Sequence, residues 1–261
     1  MIRSIFLLVI VSNLAAAAEA PDTATMVERA GRRVEKFWDE FSAVTCTELV
    51  TQEKLTPEGK VLLARKTTYD YLTMLQIADG ELSVEESRIE RNVSGHKVDR
   101  PLLATAGFAT MLLVFHPHFQ ASYEFSEGPA ENGARVIHFQ HRKGSRSPSA
   151  LQLRGRIYPL EWQGEAWVDP ATGSVSRIRA ALASPMADVG LQVLAINVTY
   201  APVELGAQKL MLPETADIDA RTVHQQWRNV HRFREYKRFS VDAQTVPESP
   251  ETKPNQEKYP E

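Results

Sequence analysis

The sequence predicts an α+β protein built on one large, curled antiparallel sheet, with an N-terminal amphipathic helix and an apolar inner helix. Three observations predict it. From Thr45 onward, β-prone stretches alternate with short turns. In "TMVERAGRRVEKFWDEFSAV", Met26, Val27, Ala30, Val34, Phe37, Trp38 and Phe41 recur at spacings of three and four. Between Arg100 and Glu124 there is no Asp, Glu, Lys or Arg, although 24% of the chain is charged.

Taken in order, "MIRSIFLLVIVSNLAAAAEA" reads as an export signal. Arg3 is a short positive region, Ile5 to Leu14 an apolar core, and Ala16 to Ala18 a small-residue cleavage site, so residues 1–18 are expected to be removed. That apolar run is short for a membrane span, and no stable span is expected after cleavage. The chain is therefore expected to be exported and periplasmic. The first mature helix is one apolar stripe, with Glu28, Arg32, Arg33, Glu35, Lys36 and Asp39 on its other faces. Strands then follow around turns at Thr56 to Gly59 and Ala78 to Glu81. Leu102 to Phe115 reads as a helix of about four turns between Pro101 and Pro117, with Asp99 as its cap. An all-round apolar helix of that length must be covered on several sides, which places it inside the curve of the sheet.

After it, "QASYEFSE" and "ARVIHFQHRK" flank a Gly- and Pro-rich turn, "GSRSPSA" is a loop, and "LQLRGRIYPLEW" follows. Asp169-Pro170-Ala171-Thr172-Gly173 is a strong hairpin signal. "VGLQVLAINVTYAPVEL", "QKLMLPETADIDARTV" and "QWRNVHRFREYKRFSVDA" complete the sheet. The short connections predict antiparallel neighbours. Residues 19–244 form one domain on this reading, and the Pro- and Glu-rich 245–261 are expected to be disordered.

With 43% hydrophobic residues the composition is that of a globular chain. Loss of Arg3 with the signal moves the formal charge from −3 to −4. That mild balance argues against nucleic acid or an anionic membrane as the main partner. A single cysteine, Cys46, precludes an intrachain disulfide and reads as a small core residue. Asn92 and Asn197 begin glycosylation triplets of the kind that arise by chance.

"GEAWVDPATGSVSRI", "VTYAPVELGAQKLMLPE" and "HRFREYKRF" resemble the second half of a group of exported bacterial proteins with a Trp-x-Asp-Pro-x-Thr-Gly hairpin, a Leu-Pro and a final Tyr-x-x-Phe strand. "AGFATMLLVFHP" followed by "ASYEF" takes the place of that group's central helix and next strand. More distantly, the order helix, meandering sheet, inner helix and sheet is similar to that of the LolA/LolB-type lipoprotein carriers. The resemblance implies an unclosed β-barrel whose helices lid a hydrophobic cavity for acyl chains. It implies no particular binding residue.

The residues themselves leave two accounts open. "VGLQVLAINVTY" is apolar at both parities, so it is either a central strand beneath a helix or a cavity wall. The cavity account nominates Trp38, Phe108, Met111, Leu112, Phe115, Leu191 and Val193 as lining. Its ligand would be an acyl chain, a lipoprotein or an envelope lipid. The other account is an interaction module with a solid core and an envelope protein as partner.

Chemistry is sparse. There is no nucleophile elbow, phosphate loop or His-Glu-x-x-His, and no cofactor is expected. A metal-dependent hydrolase would need two or more of His116, His118 and His138 to converge in a cleft with an acidic partner, yet His138 and His141 should face opposite ways. Glu85 and Glu86 should likewise point apart. Arg228, Arg232, Arg234 and Arg238 share one parity with Tyr236. They read as a basic ladder, either a cross-strand charge pattern with Asp217 and Asp219 or a groove for an anionic group. Glu165 and Asp169 against Arg177 and Arg179 repeat that logic.

Overall fold

The computed structural model describes residues 22–41, 44–78, 81–91, 103–153 and 155–238. The signal at 1–18, Asp99, Pro101, Leu102, Asn92 and the tail 245–261 lie outside the described residues. Helix α1 spans Thr23–Phe41 and α2 Pro117–Gln120. The strands are β1 Val44–Leu55, β2 Val61–Ala78, β3 Glu81–Glu90, β4 Tyr123–Glu127, β5 Arg135–His141 and β6 Ala150–Leu153. They continue with β7 Arg156–Pro159, β8 Trp162–Val168, β9 Val175–Leu182, β10 Leu191–Leu205, β11 Gln208–Thr222 and β12 Gln226–Arg238. Ten form one antiparallel sheet in the order β3-β2-β1-β12-β11-β10-β9-β8-β5-β4; β6 and β7 pair separately. The sheet is open, and its first long strand, β1, pairs with its last, β12.

Register fixes which side chains share a face. One row runs Gln52, Asn229, Ile218, Ile196, Ala180, Gly164, Phe139, Phe125 across eight strands. This inner face is apolar from β11 to β4 and turns polar on β12 and β1. Helix α1 lies over it, begun by Asp22, whose carboxylate accepts from Thr25 N–H at 2.7 Å. Its stripe Met26, Val27, Ala30, Val34, Phe37 and Trp38 is buried as expected; the side chain of Phe41 lies outside the described residues. Helix α1 touches both β2 and β4, eight positions apart in the sheet. A flat sheet would separate those strands by about 38 Å, more than the roughly 28 Å length of the helix, so the sheet must bend around it.

The expected four-turn α-helix is not there. Leu103 to Gly107 form a non-helical strap, and only Phe108–Phe115 is helical, as a 3-10 segment with a break at Thr110 (φ −107°, ψ 19°). Gly107 turns the chain with φ 77°, a conformation glycine adopts freely. The strap is engaged by side chains of the sheet, described below, and so cannot close helical hydrogen bonds. The burial expectation holds, since Ala109 to Phe115 are all buried, between α1 and strands β9, β10 and β11. Among the described residues no helix is long and apolar enough to cross a membrane.

Candidate functional site: a buried polar latch beneath the strap

The polar end of the inner face is built by alternation along three strands. On β1, Cys46, Glu48, Val50 and Gln52 point inward; β12 contributes Asn229, His231 and Phe233, and β2 contributes Tyr71. From β3 come Glu86 and Arg88. The Glu48 side chain is fully enclosed. It accepts from Arg88 Nε at 2.5 Å and Nη2 at 3.0 Å, and it meets His231 Nδ1 at 2.7 Å. Arg88 also reaches Glu86 at 2.7 Å and lies over the Tyr71 ring, 5.0 Å from its centroid. Tyr71 donates its hydroxyl to Glu86 Oε1 at 2.8 Å.

Burial alone would raise the Glu48 carboxyl. Hydrogen bonds from His231 and Arg88 outweigh it and hold the group below the usual carboxylate range. Burial would lower the Arg88 guanidinium, but Glu48 and Glu86 raise it above its ordinary value. Burial pushes the Tyr71 phenol well up. The cluster therefore stays ionised at Glu48 and Arg88 and neutral at Tyr71.

The strap rests on these groups. Gln52 Nε2 and Asn229 Nδ2 donate to the Leu103 carbonyl at 2.6 and 2.8 Å. Thr105 Oγ1 bonds His231 Nε2 at 2.7 Å and accepts from Asn229 at 3.0 Å. Gly107 N–H donates to Glu86 at 2.8 Å. At the far end of the 3-10 segment, Gln120 Nε2 donates to the carbonyls of Phe115 (2.7 Å) and Val27 (3.1 Å), tying it to α1. The arrangement fastens a cover through polar groups, and within it Thr105, His231 and Glu48 form one hydrogen-bonded chain of hydroxyl, imidazole and carboxylate.

The nominated hydrophobic residues divide. Trp38, Met111, Leu112, Phe115 and Leu191 are buried in one core cluster, and Phe108 packs on its edge, edge-on to Trp162 at 6.4 Å. Leu112 borders a void of about 10 Å³, room for roughly one water, so the space beside it is filled by protein. Val193 is a correction. A register shift between Leu191 and Val193 turns Leu191 in and Val193 out, and the inner set on β10 is Leu194, Ile196, Val198 and Tyr200.

Of the arginines, Arg228 pairs with Glu53 on β1 (2.8 and 2.5 Å), opposite Asp219 on β11. Burial raises the Asp219 carboxyl, against the pull of Arg228. Arg232 and Arg234 are exposed, and Arg238 bonds Gln208. Tyr236 does not share the face of Arg228, Arg232 and Arg234. Glu235 sits at φ 57°, where β1 also shifts register, and Tyr236 turns into the core to donate to the Pro213 carbonyl at 2.6 Å. Arg179 meets Glu165 at 2.8 Å as expected, but Arg177 bonds Asn197 and Asp169 caps its own turn. Asn197 Oδ1 is thus engaged within the sheet.

The histidines scatter. His116 caps α2, His118 bonds Arg146, His138 is on the outer face and His141 is buried on the inner one. Among the described residues no group of three His, Cys, Asp or Glu could hold a metal. An open groove of about 650 Å³ on the outer face is lined by His138, Glu165 and Arg179, among others.

The sequence reading did separate Glu86 from Glu85 but did not bring Glu48, Arg88 and His231 together. Their shared inward parity on β1, β3 and β12 was the available signal; the pairing of β1 with β12 was not. These features define a class, an open antiparallel sheet wrapped around a plug segment that a buried ionic latch holds in place. Compared with models of known protein families and with curated proteins, the chain matches none.

Proposed function

We propose that this is an exported, non-enzymatic carrier for a lipophilic ligand, an acyl chain, lipoprotein or envelope lipid, and that Phe108–Phe115 fills the ligand's place when none is bound. One observation carries the reading: the cover over the inner face is fastened through the polar contacts of Leu103, Thr105 and Gly107. Hydrogen bonds exchange with water at a net cost of only about 1 kcal/mol each, so the strap can release without unfolding the sheet, while the ligand has to replace the apolar contacts of the buried Ala109 to Phe115. Lifting the cover would expose the apolar inner rows of β8 to β11, and an acyl chain entering there gains about 0.8 kcal/mol per buried methylene. The 3-10 geometry suits this role, because its hydrogen bonds are poorer than those of an α-helix. Helix α1 would move with the plug through Gln120. The resemblance of the sequence's element order to that of LolA/LolB-type carriers suggests the ligand class by analogy.

The alternative, an interaction module with a solid core, is favoured by the small void beside Leu112. Native mass spectrometry with lipid extraction, on chain purified without detergent, separates the two. The carrier reading expects stoichiometric lipid, more in Thr105→Val and none in a folded Leu112→Asp variant. A bare mass that stays bare when acyl ligands are offered leaves Phe108–Phe115 as core and favours the module.

A further inference from the structure

The antiparallel order sends the β1–β2 and β11–β12 turns to the same rim of the sheet. Leu55 is opposite Gln226 there, and the two hairpins enclose one concavity of about 210 Å³ bordered by Pro57, Thr222 and Val223. Their tips are greasy and uncovered. Val61, Leu62 and Leu63 are 49%, 62% and 53% exposed, and Val223 is 66% exposed. Single exposed aliphatics are ordinary, but four on two adjoining tips form a patch. Over residues 54–66 and 221–226 the charged side chains are Lys54, Lys60, Arg65, Lys66 and Arg221 against Glu58 alone. The nearby Glu53 is already matched by Arg228.

The β6–β7 hairpin lies in the β5–β8 connection, which leaves the sheet at this rim, and it adds Ile157, 70% exposed, beside Arg156. The opposite rim is different. Its turns carry Glu127, Glu131, Asp169 and Glu204 against Arg135 and Lys209, with Lys237 and Arg238 at the end of β12.

We infer that the rim formed by the β1–β2 and β11–β12 hairpins docks on an anionic phospholipid surface. The aliphatic tips enter the interface while the basic collar meets the headgroups, as in other peripheral binders that pair apolar and basic contacts. The register shift between Lys54 and Leu55 leaves Leu62 as the extra, unpaired residue of a bulge at this tip. Exposed aliphatics at the tips favour lipid over nucleic acid, which rewards basic side chains and stacking aromatics instead. The inference stands independently of the carrier reading.

The test is co-sedimentation of the full chain with vesicles of phosphatidylcholine alone or mixed with phosphatidylglycerol. All forms compared carry the same N-terminus, so any contribution from Ile5 to Leu14 is common to them. Binding should require phosphatidylglycerol and weaken with salt. Leu62→Asp/Leu63→Asp should lose at least tenfold in affinity with an unchanged melting temperature. Lys60→Glu/Lys66→Glu should lose more, since each basic residue at an anionic leaflet is worth about fivefold. No binding by the parent chain, equal binding by the variants, or tighter binding to a DNA duplex than to vesicles would each overturn the inference.

Discussion

If Glu48, Arg88 and His231 act as one buried unit, Glu48→Gln should be costly and strongly coupled to Arg88. The carboxylate has no exposure and accepts three hydrogen bonds. An amide in its place loses the charge and sets an NH2 group against cationic or N–H donors. Removing one partner of a buried ion pair costs about 3–5 kcal/mol. The lower end applies here, because Arg88 keeps Glu86 and its side chain is 20% exposed. A loss of about 3 kcal/mol corresponds to a fall of roughly 6–12 °C in melting temperature for a domain of this size.

Arg88→Met alone should cost at least as much, and the double variant should fall short of the sum by about 2 kcal/mol. The exposed pair Glu53–Arg228 is the control and should give about 1 kcal/mol or less. Acid adds an independent reading. The folded-state Glu48 carboxyl lies below its ordinary value, so its contribution is complete above the unfolded-state value of about 4.3. It is lost as pH falls through the lowered folded value. Urea melts from pH 7 down to 3 should show this loss in the parent and less of it in Glu48→Gln. Additive single variants, or parallel acid profiles, would refute the latch as a coupled unit.

Two further outcomes follow from close packing. Gly173 sits at φ +73°, and an added Cβ would lie 2.7 Å from the Arg29 carbonyl of α1; Gly173→Ala should therefore destabilise by at least about 2 kcal/mol in denaturant melts. Burial pushes the Cys46 thiol up to about 12, so it should resist a thiol reagent at pH 8 in the native chain and react at once in guanidinium.

Periodicity made α1, the strands and their antiparallel pairing legible, because each is a local pattern of apolar spacing. Where the local pattern was ambiguous, distant contacts decided. Leu102 to Phe115 is apolar all round, which an α-helix and a 3-10 plug satisfy equally. The choice was made by Gln52, Asn229 and Glu86, which claim the backbone of Leu103 and Gly107 from strands that sequence could not place beside it. The slip at Gln192 reversed Val193 for a similar reason: with apolar residues at both parities, one unpaired residue decides which set faces in. Charge followed the same logic at larger scale. Summed along the chain, the charges argued against an anionic surface; placed on the sheet, alternate turns go to opposite rims. Lys60 and Arg221, far apart in sequence, then lie on one rim with Leu62 and Val223. Net charge measures solubility, whereas a surface is recognised through the charge on one side of the molecule, and that depends on topology.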